Sequence, residues 1–285
     1  MATVFVAGPA SWNQLVSVPR LPEGRPETLF AHGHRTTLGG TSAGKALNLA
    51  GLGADVTLRT VVGDDETADR ILDTLTEAKV TVIAERVPGS SERHLNLMDA
   101  DGGRVSIYLD LPELAEAAHR EQVSTALRSA DAAVIDLAEH SRPLLAEARG
   151  FGVPVWCDIH DYDGVADYHR QFIEAAEYLF LNDDGMSDPL RLRGFMVSRV
   201  EAGTRLVVAT LGAQGAVALS AADGWHRVAA TPVETIVDTN GAGDAFFSGF
   251  LFAHLGGEGI AEALRAGADQ AAKCLGSPGL APPMS

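Results

Sequence analysis

Asp238-Thr239-Asn240-Gly241-Ala242-Gly243-Asp244, followed by Ala245-Phe246-Phe247-Ser248-Gly249-Phe250, decides how the chain is read. Two glycines flank an alanine, so the backbone can turn tightly and come close to a ligand. From Ala245 to His254 the apolar groups Phe246, Phe247, Phe250 and Leu251 follow a buried-helix pattern. The turn therefore opens a helix. A helix N-terminus offers unpaired N–H groups and a positive dipole end, which together form an anion site. Asp244 sits in the first turn of that helix. An acid there complements the dipole. Beside a Gly-Ala-Gly turn it also suits a base held against a phosphoryl group while N–H groups hold the developing charge.

The surrounding chain has 285 residues, enough for one large domain or two modest ones. It is 46% hydrophobic and 21% charged, as an ordinary globular protein is. A net charge of −16 argues against nucleic acid and against an anionic membrane surface. A phosphorylated ligand stays open, because local groups decide anion binding. Cys157 and Cys274 form no C-x-x-C pair, which fits a reducing cytoplasm and two small core groups. The first residues lack a basic segment and a long apolar run, so they read as a strand rather than a signal peptide. No run is long enough to cross a bilayer.

Apolar runs alternate with helical patterns. Strands are expected at Val4–Gly8, Asp55–Val62, Ala132–Leu137, Val153–Asp158, Tyr178–Leu181 and Arg205–Thr210. Helices are expected at Ala43–Leu52, Glu66–Ala78, Pro143–Arg149, His169–Ala176 and Leu190–Ala202. This is the βαβ rhythm of an α/β fold with a mostly parallel sheet. Thr28–Gly39 and His94–Leu109 instead alternate at period two, the second around a turn at Asp101-Gly102-Gly103. They read as antiparallel strands, either outside the main sheet or on its edge.

Four further stretches carry chemistry. Gly39-Gly40-Thr41-Ser42-Ala43-Gly44-Lys45-Ala46-Leu47-Asn48-Leu49-Ala50 leads toward Val62-Gly63-Asp64-Asp65. Asn182-Asp183-Asp184-Gly185 follows an expected strand, as does Thr210-Leu211-Gly212-Ala213-Gln214-Gly215. The fourth, Asp158-Ile159-His160-Asp161, has no zinc-site spacing. No G-x-x-x-x-G-K-[ST] occurs, so the chain has no P-loop.

Taken with D-T-N-G-A-G-D, these stretches resemble the signatures of the ribokinase-like (PfkB) carbohydrate kinase family, from about Val4 to Gly276. The resemblance implies a three-layer αβα sandwich with a mostly parallel central sheet and a small β-lid. It implies one kinase domain over residues 1–285, with lid segments near 28–39 and 94–109. The implied activity is ATP-dependent phosphoryl transfer to a hydroxymethyl group of a sugar or sugar-like alcohol. Asp244 would be the base, and the amides of Gly241, Ala242 and Gly243 the anion hole. Asn13, Gly39, Gly40 and Gly44 would face the substrate. Asn182, Thr210, Gly212 and Gly215 would serve the nucleotide, and Asp184 would help hold Mg2+. Asp238 and the Asn240 carbonyl match positions that bind K+ in many members, with the Ser277 region completing that site. The lid points to a homodimer.

The chain departs from the family pattern in three places. Asn13 stands where an Asp is usual, Gly44 where an Asn is usual, and Gly185 where a Glu is usual. Lys45 then reads either as a solvated helix residue or as a group facing an acidic substrate. Asp158 reads as structural or as an outer residue of the site. Two other functions stay in view. One is a nucleoside kinase of the same fold, with Trp12 and Phe30 as aromatic candidates. The other is a catalytically weak ligand-binding regulator.

Overall fold

The computed structural model describes residues 1–100, 103–113 and 118–283. Asp101 and Gly102 of the expected turn lie outside the described residues. The strands are β1 (Thr3–Ala7), β2 (Ser11–Ser17), β3 (Gly33–Gly39), β4 (Asp55–Val62), β5 (Thr81–Arg86), β6 (Arg93–Met98) and β7 (Arg104–Asp110). They continue with β8 (Ala132–Ile135), β9 (Val155–Asp158), β10 (Tyr178–Asn182), β11 (Leu206–Thr210), β12 (Ala216–Ser220) and β13 (Gly224–Val228). The α-helices are α1 (Thr41–Gly51), α2 (Glu66–Glu77), α3 (Arg120–Arg128), α4 (Arg142–Phe151), α5 (Arg170–Ala175), α6 (Pro189–Glu201), α7 (Ala242–Leu255) and α8 (Ile260–Leu275).

Nine strands form the main sheet in the order β13-β12-β11-β10-β9-β8-β1-β4-β5. The pairs from β11 through to β5 are parallel, and β12 and β13 add an antiparallel hairpin at one edge. Alternate residues face opposite ways along a strand. In β1, Val4 and Val6 enter one apolar cluster and Phe5 and Ala7 the other. The first cluster packs α1, α2, α7 and α8 on one face, and the second packs α3 to α6 on the other. The expected three-layer α/β architecture is therefore present, with both faces of the sheet dry.

A separate four-stranded sheet runs β3-β2-β6-β7. It contains both period-two stretches, so these lie outside the main sheet rather than on its edge. The first stretch is strand only from Gly33 onward, and β2 joins it as an antiparallel partner.

Two features position α7. Phe247 and Phe250 pack on Phe180 of β10, with ring centroids 4.6 and 5.3 Å away, and Trp156 of β9 lies against both. Behind them α8 approaches closely: a Cβ on Gly249 would meet the Ala266 carbonyl at 2.6 Å. The N-terminus of α7 is thereby held over the carboxyl ends of the central strands. The strand order reverses there, between β1 and β8, and open α/β sheets bind ligands at such a point.

Candidate active site

The turn before α7 is built as its sequence requires. Gly241 caps the helix at φ 83, in the left-handed region, and a Cβ there would meet the Leu280 carbonyl at 2.8 Å. Asp238 Oδ1 accepts from the Asn240 N–H at 2.9 Å and shapes the approach. Among the described residues no side chain caps α7, so its first N–H groups remain available. Among the described residues nothing stands within 4 Å of the place a Gly243 Cβ would occupy. The Asn240 side-chain nitrogen is buried beside this turn without a partner among the described residues.

Asp244 is held from helix α1. Its Oδ1 accepts from Thr41 Oγ1 at 2.5 Å and from Lys45 Nζ at 2.9 Å. Its Oδ2 lies against Gly44, where a Cβ would sit 2.8 Å away. The glycine at the expected asparagine position therefore makes room for the Asp244 carboxylate itself. Ser248 bridges the two helices by donating to the Asp244 backbone carbonyl at 2.7 Å and the Lys45 carbonyl at 3.3 Å.

Lys45 is not a solvated helix residue. Its side chain is fully buried, and Nζ lies 3.1 Å from Asp136 Oδ1 and 3.3 Å from Asp158 Oδ2. Asp136 follows β8 and Asp158 ends β9, so three carboxylates converge on one ammonium. The Asp136 Oδ1 contact is an ion pair without hydrogen-bond geometry, while Asp136 Oδ2 accepts from Ser42 at 2.7 Å. Burial works against the Lys45 charge, but the three carboxylates outweigh it and raise its pKa. Burial pushes the Asp136 carboxyl up. Burial also pushes Asp158 up, but His160, Lys45 and the His160 N–H prevail and bring it down. Asp158 is thus part of the charge cluster that reaches Asp244.

The other expected substrate residues adjoin this cluster. Asn13 is buried in β2, and its Oδ1 accepts from Ser11 at 2.8 Å. A Cβ on Gly39 would lie 2.1 Å from Asn13 Nδ2, so Gly39 leaves space for that amide. Gly40, at φ 90, packs its backbone on the Pro9 carbonyl and caps α1. Thr41 then starts the helix and reaches Asp244.

The expected nucleotide residues lie along the same edge of the sheet. Asn182 and Thr210 pair in register at the carboxyl ends of β10 and β11. Gly212 (φ 53) and Gly215 (φ 89) make the tight turn into β12, and a Cβ on Gly215 would strike the Val228 carbonyl at 2.0 Å. Gly212 is exposed with open space beside it.

The cation residues behave differently from one another. Asn182 Oδ1 accepts from the Asp184 N–H at 3.0 Å. Partial burial, then Asp183 and Asp161, push the exposed Asp184 carboxyl up. Mg2+ keeps most of its water shell, so Asn182 and Asp184 fit it as partners of that water rather than as a direct ligand set. Asp238 and Asn240 fit a monovalent cation poorly. Arg35, from β3, donates to Asp238 Oδ2, and the Cys274 thiol contacts the Asn240 carbonyl at 3.7 Å. Among the described residues no group of three or more His, Cys, Asp or Glu is arranged to hold a metal ion. Gly185 has no room for the expected glutamate: even a Cβ would lie 2.0 Å from the Asp161 carbonyl.

Thr41, Ser42, Asp136 and Arg35 were not among the expected site residues, and Lys45 was read only as a solvated residue or as a group facing an acidic substrate. Thr41 and Lys45 carried a usable signal, being four apart on one helix face directly after the di-glycine. A cavity of about 450 Å³ lined by Arg149, Glu177, Arg199 and Arg205 lies at the opposite, amino end of the strands and takes no part here.

The description "pfkB family carbohydrate kinase" fits residues 3–285 by family model. The chain is 30% identical over 272 residues to the acarbose 7(IV)-phosphotransferase of Actinoplanes sp., covering 93% of this chain and 89% of that protein. It is 29% identical over 255 residues to the ATP-dependent ribose-1-phosphate kinase of Halopiger xanaduensis, covering 88% and 84%. The structure superposes on a microbiome-derived acarbose kinase with TM-score 0.84 and 28% identity, over 100% of this chain and 96% of that one. It shares its fold with an Arabidopsis thaliana ribokinase complexed with ribose and ATP, with TM-score 0.81, 22% identity, and 99% and 96% covered.

Proposed function

The chain belongs to the pfkB family of carbohydrate kinases, and on that premise we propose that it transfers the γ-phosphoryl group of ATP to a hydroxymethyl group of a sugar-like alcohol. It is a sugar kinase; the donor, the acceptor group and the residue roles are the proposal. The observation that carries them is Asp244, clamped by Thr41 and Lys45 beside the open N-terminus of α7.

In this reading Asp244 takes the proton of the acceptor hydroxyl as that oxygen bonds to the γ-phosphorus. The bond to the β-phosphate oxygen breaks and its electrons leave on ADP. N–H groups of Gly241, Ala242 and Gly243 receive the charge that develops on the transferred group. Asn13, Gly39, Gly40 and Gly44 line the acceptor side. Asn182, Thr210, Gly212 and Gly215 line the nucleotide side. Mg2+, when bound, neutralises triphosphate charge, and Asn182 and Asp184 are the residues we assign to it through water. Arg35 supplies the positive charge at Asp238, so no step is assigned to K+.

Residues 1–285 are read as one kinase unit whose lid is the four-stranded sheet. The edge strand β7 exposes Val105, Ile107, Tyr108 and Leu109, which supports a second copy docking on the lid. Both cysteines are free and buried, which supports a cytoplasmic location. Among the described residues no helix is long and apolar enough to cross a membrane. The nucleoside-kinase reading loses one of its two aromatic candidates, since Phe30 is 83% exposed.

The test is ADP release from Mg·ATP across pentoses, hexoses, sugar phosphates, nucleosides and acarbose-like oligosaccharides. One acceptor raising the rate well above background supports the reading, provided Asp244→Asn abolishes it while still binding ATP. A wild type that binds ATP and phosphorylates nothing in the panel favours the regulator.

A further inference from the structure

We propose that Lys45 is a positioning residue for the base, clamping Asp244 Oδ1 so that Oδ2 alone faces the acceptor hydroxyl. The proposal rests on the kinase reading for its meaning, but its geometry stands separately.

A buried ammonium requires partners, and Lys45 has four: Thr41, Asp244, Asp136 and Asp158. They come from α1, from the N-terminus of α7 and from the ends of β8 and β9. Lys45 therefore ties the base to the point where the strand order reverses. Phe247, one turn along α7 from Asp244, sets its ring 5.1 Å from Nζ and closes the remaining side. Asp136 and Asp158 keep the ammonium in place when Asp244 changes protonation state.

The two oxygens of Asp244 are made unequal by this arrangement. Oδ1 accepts from two side chains, which stop the carboxylate turning about its terminal torsion. Oδ2 rests on the bare backbone of Gly44. In the transfer step the acceptor O–H breaks, its oxygen forms the new bond to phosphorus, and the proton goes to Oδ2. Lys45 stays charged throughout and exchanges no proton. Gly44 and Lys45 are one device in this view: the glycine admits the carboxylate and the lysine fixes it.

A purely structural lysine would pair the same charges without affecting turnover, so the test must separate fold from rate. The chain has three lysines, Lys45, Lys79 and Lys273, and the last two are exposed. A lysine ammonium proton–nitrogen NMR spectrum of the whole protein should show one slowly exchanging signal. That signal should vanish in Lys45→Met and move in Asp244→Asn. A signal unmoved in Asp244→Asn overturns the clamp. This spectrum needs no acceptor, so a wild type that phosphorylates nothing removes the kinase reading while the clamp is still decided.

With an acceptor in hand, Lys45→Met should lower kcat about 100-fold, the scale of a roughly 1 Å misplacement, with both KM values within about threefold. Three carboxylates, two of them buried, without a cation can prevent folding, so Lys45→Met/Asp136→Asn is made alongside. If the double variant folds and kcat stays low, the positioning role stands. If kcat returns with the fold, Lys45 is structural and the proposal fails.

Discussion

Gly185 offers the clearest test of whether geometry or family pattern should be followed. Gly185→Glu installs the residue that the resemblance expects near the metal. A pattern-based argument has it improving Mg2+ handling. The structure requires the opposite. A Cβ at 185 would lie 2.0 Å from the Asp161 carbonyl oxygen and 2.6 Å from the carbonyl carbons of Asp161 and Tyr162. All three are main-chain atoms, so the loop after β9 must retreat by more than about 1 Å to reach ordinary contact. Overpacking of this kind costs about 1–3 kcal/mol. In a protein of this size that lowers Tm by roughly 2–4 °C per kcal/mol, about 6 °C in the middle of the range. The retreating loop carries His160, and β9 before it carries Asp158, so kcat should fall too. Gly185→Ala should lose nearly as much stability, because the first carbon already collides. Calorimetric melts of the three proteins and a Mg2+ titration of ADP release decide the matter. A Gly185→Glu protein that melts within 1 °C of wild type and saturates at lower Mg2+ would refute the reasoning.

Three other outcomes follow from the same coordinates. Gly241→Ala should lower Tm by several degrees and kcat by 100-fold or more, since it combines a left-handed backbone penalty of about 1–2 kcal/mol with a 2.8 Å approach to Leu280; Gly243→Ala, in open space, should keep Tm while still losing rate. His140 is half-buried beside Arg59, whose Nη1 lies 2.7 Å from its Nδ1, and burial first and the guanidinium second bring its pKa down to about 3. The folded value lies below the unfolded one, so the unfolded chain binds the proton first and stability falls as pH drops from about 6.5 toward 3. The loss should be about 2 kcal/mol by pH 5, seen in urea melts and reduced in His140→Gln. Replacing Na+ by K+ at constant ionic strength should change the wild-type rate less than twofold, whereas Arg35→Ala frees Asp238 and should make the rate K+-dependent; tenfold activation of the wild type would contradict the arrangement at Asp238.

The parts of the fold that rest on local pattern were legible. β4 runs from Asp55 to Val62 as its apolar run suggests, and the helix after the Gly-Ala-Gly turn begins where the glycines predict. The hairpin of β12 and β13 was not, because Ala-Val-Ala-Leu-Ser reads equally as helix and only the register with β11 decides. α8 was missed for a similar reason: Ala-rich and Gly-containing, it is a helix because Gly249 and Gly267 let it lie close on α7. Asp244 was legible from its turn. The burial of Lys45 was not, since it depends on carboxylates at 136, 158 and 244 that no local pattern connects to it. The same holds for Arg35 and Asp238, which meet only when the four-stranded sheet folds over the α7 turn.

That long-range placement bears on the acceptor. Read as sequence, Lys45 beside the di-glycine was either a solvated helix residue or a group facing an acidic substrate. In the folded chain its charge is fully engaged by Asp136, Asp158 and Asp244 and reaches no solvent. Arg35, from β3 of the four-stranded sheet, is paired with Asp238. A phosphate on the acceptor would therefore approach three carboxylates with no cation on offer from α1, and Coulomb repulsion in a partly dry site is felt more strongly than in water. The neutral members of the acceptor panel should accordingly outrank their phosphorylated counterparts in kcat/KM, hydroxyl for hydroxyl. A sugar phosphate turning over faster than its parent sugar would mean that the lid brings a cation to the acceptor which this arrangement does not display.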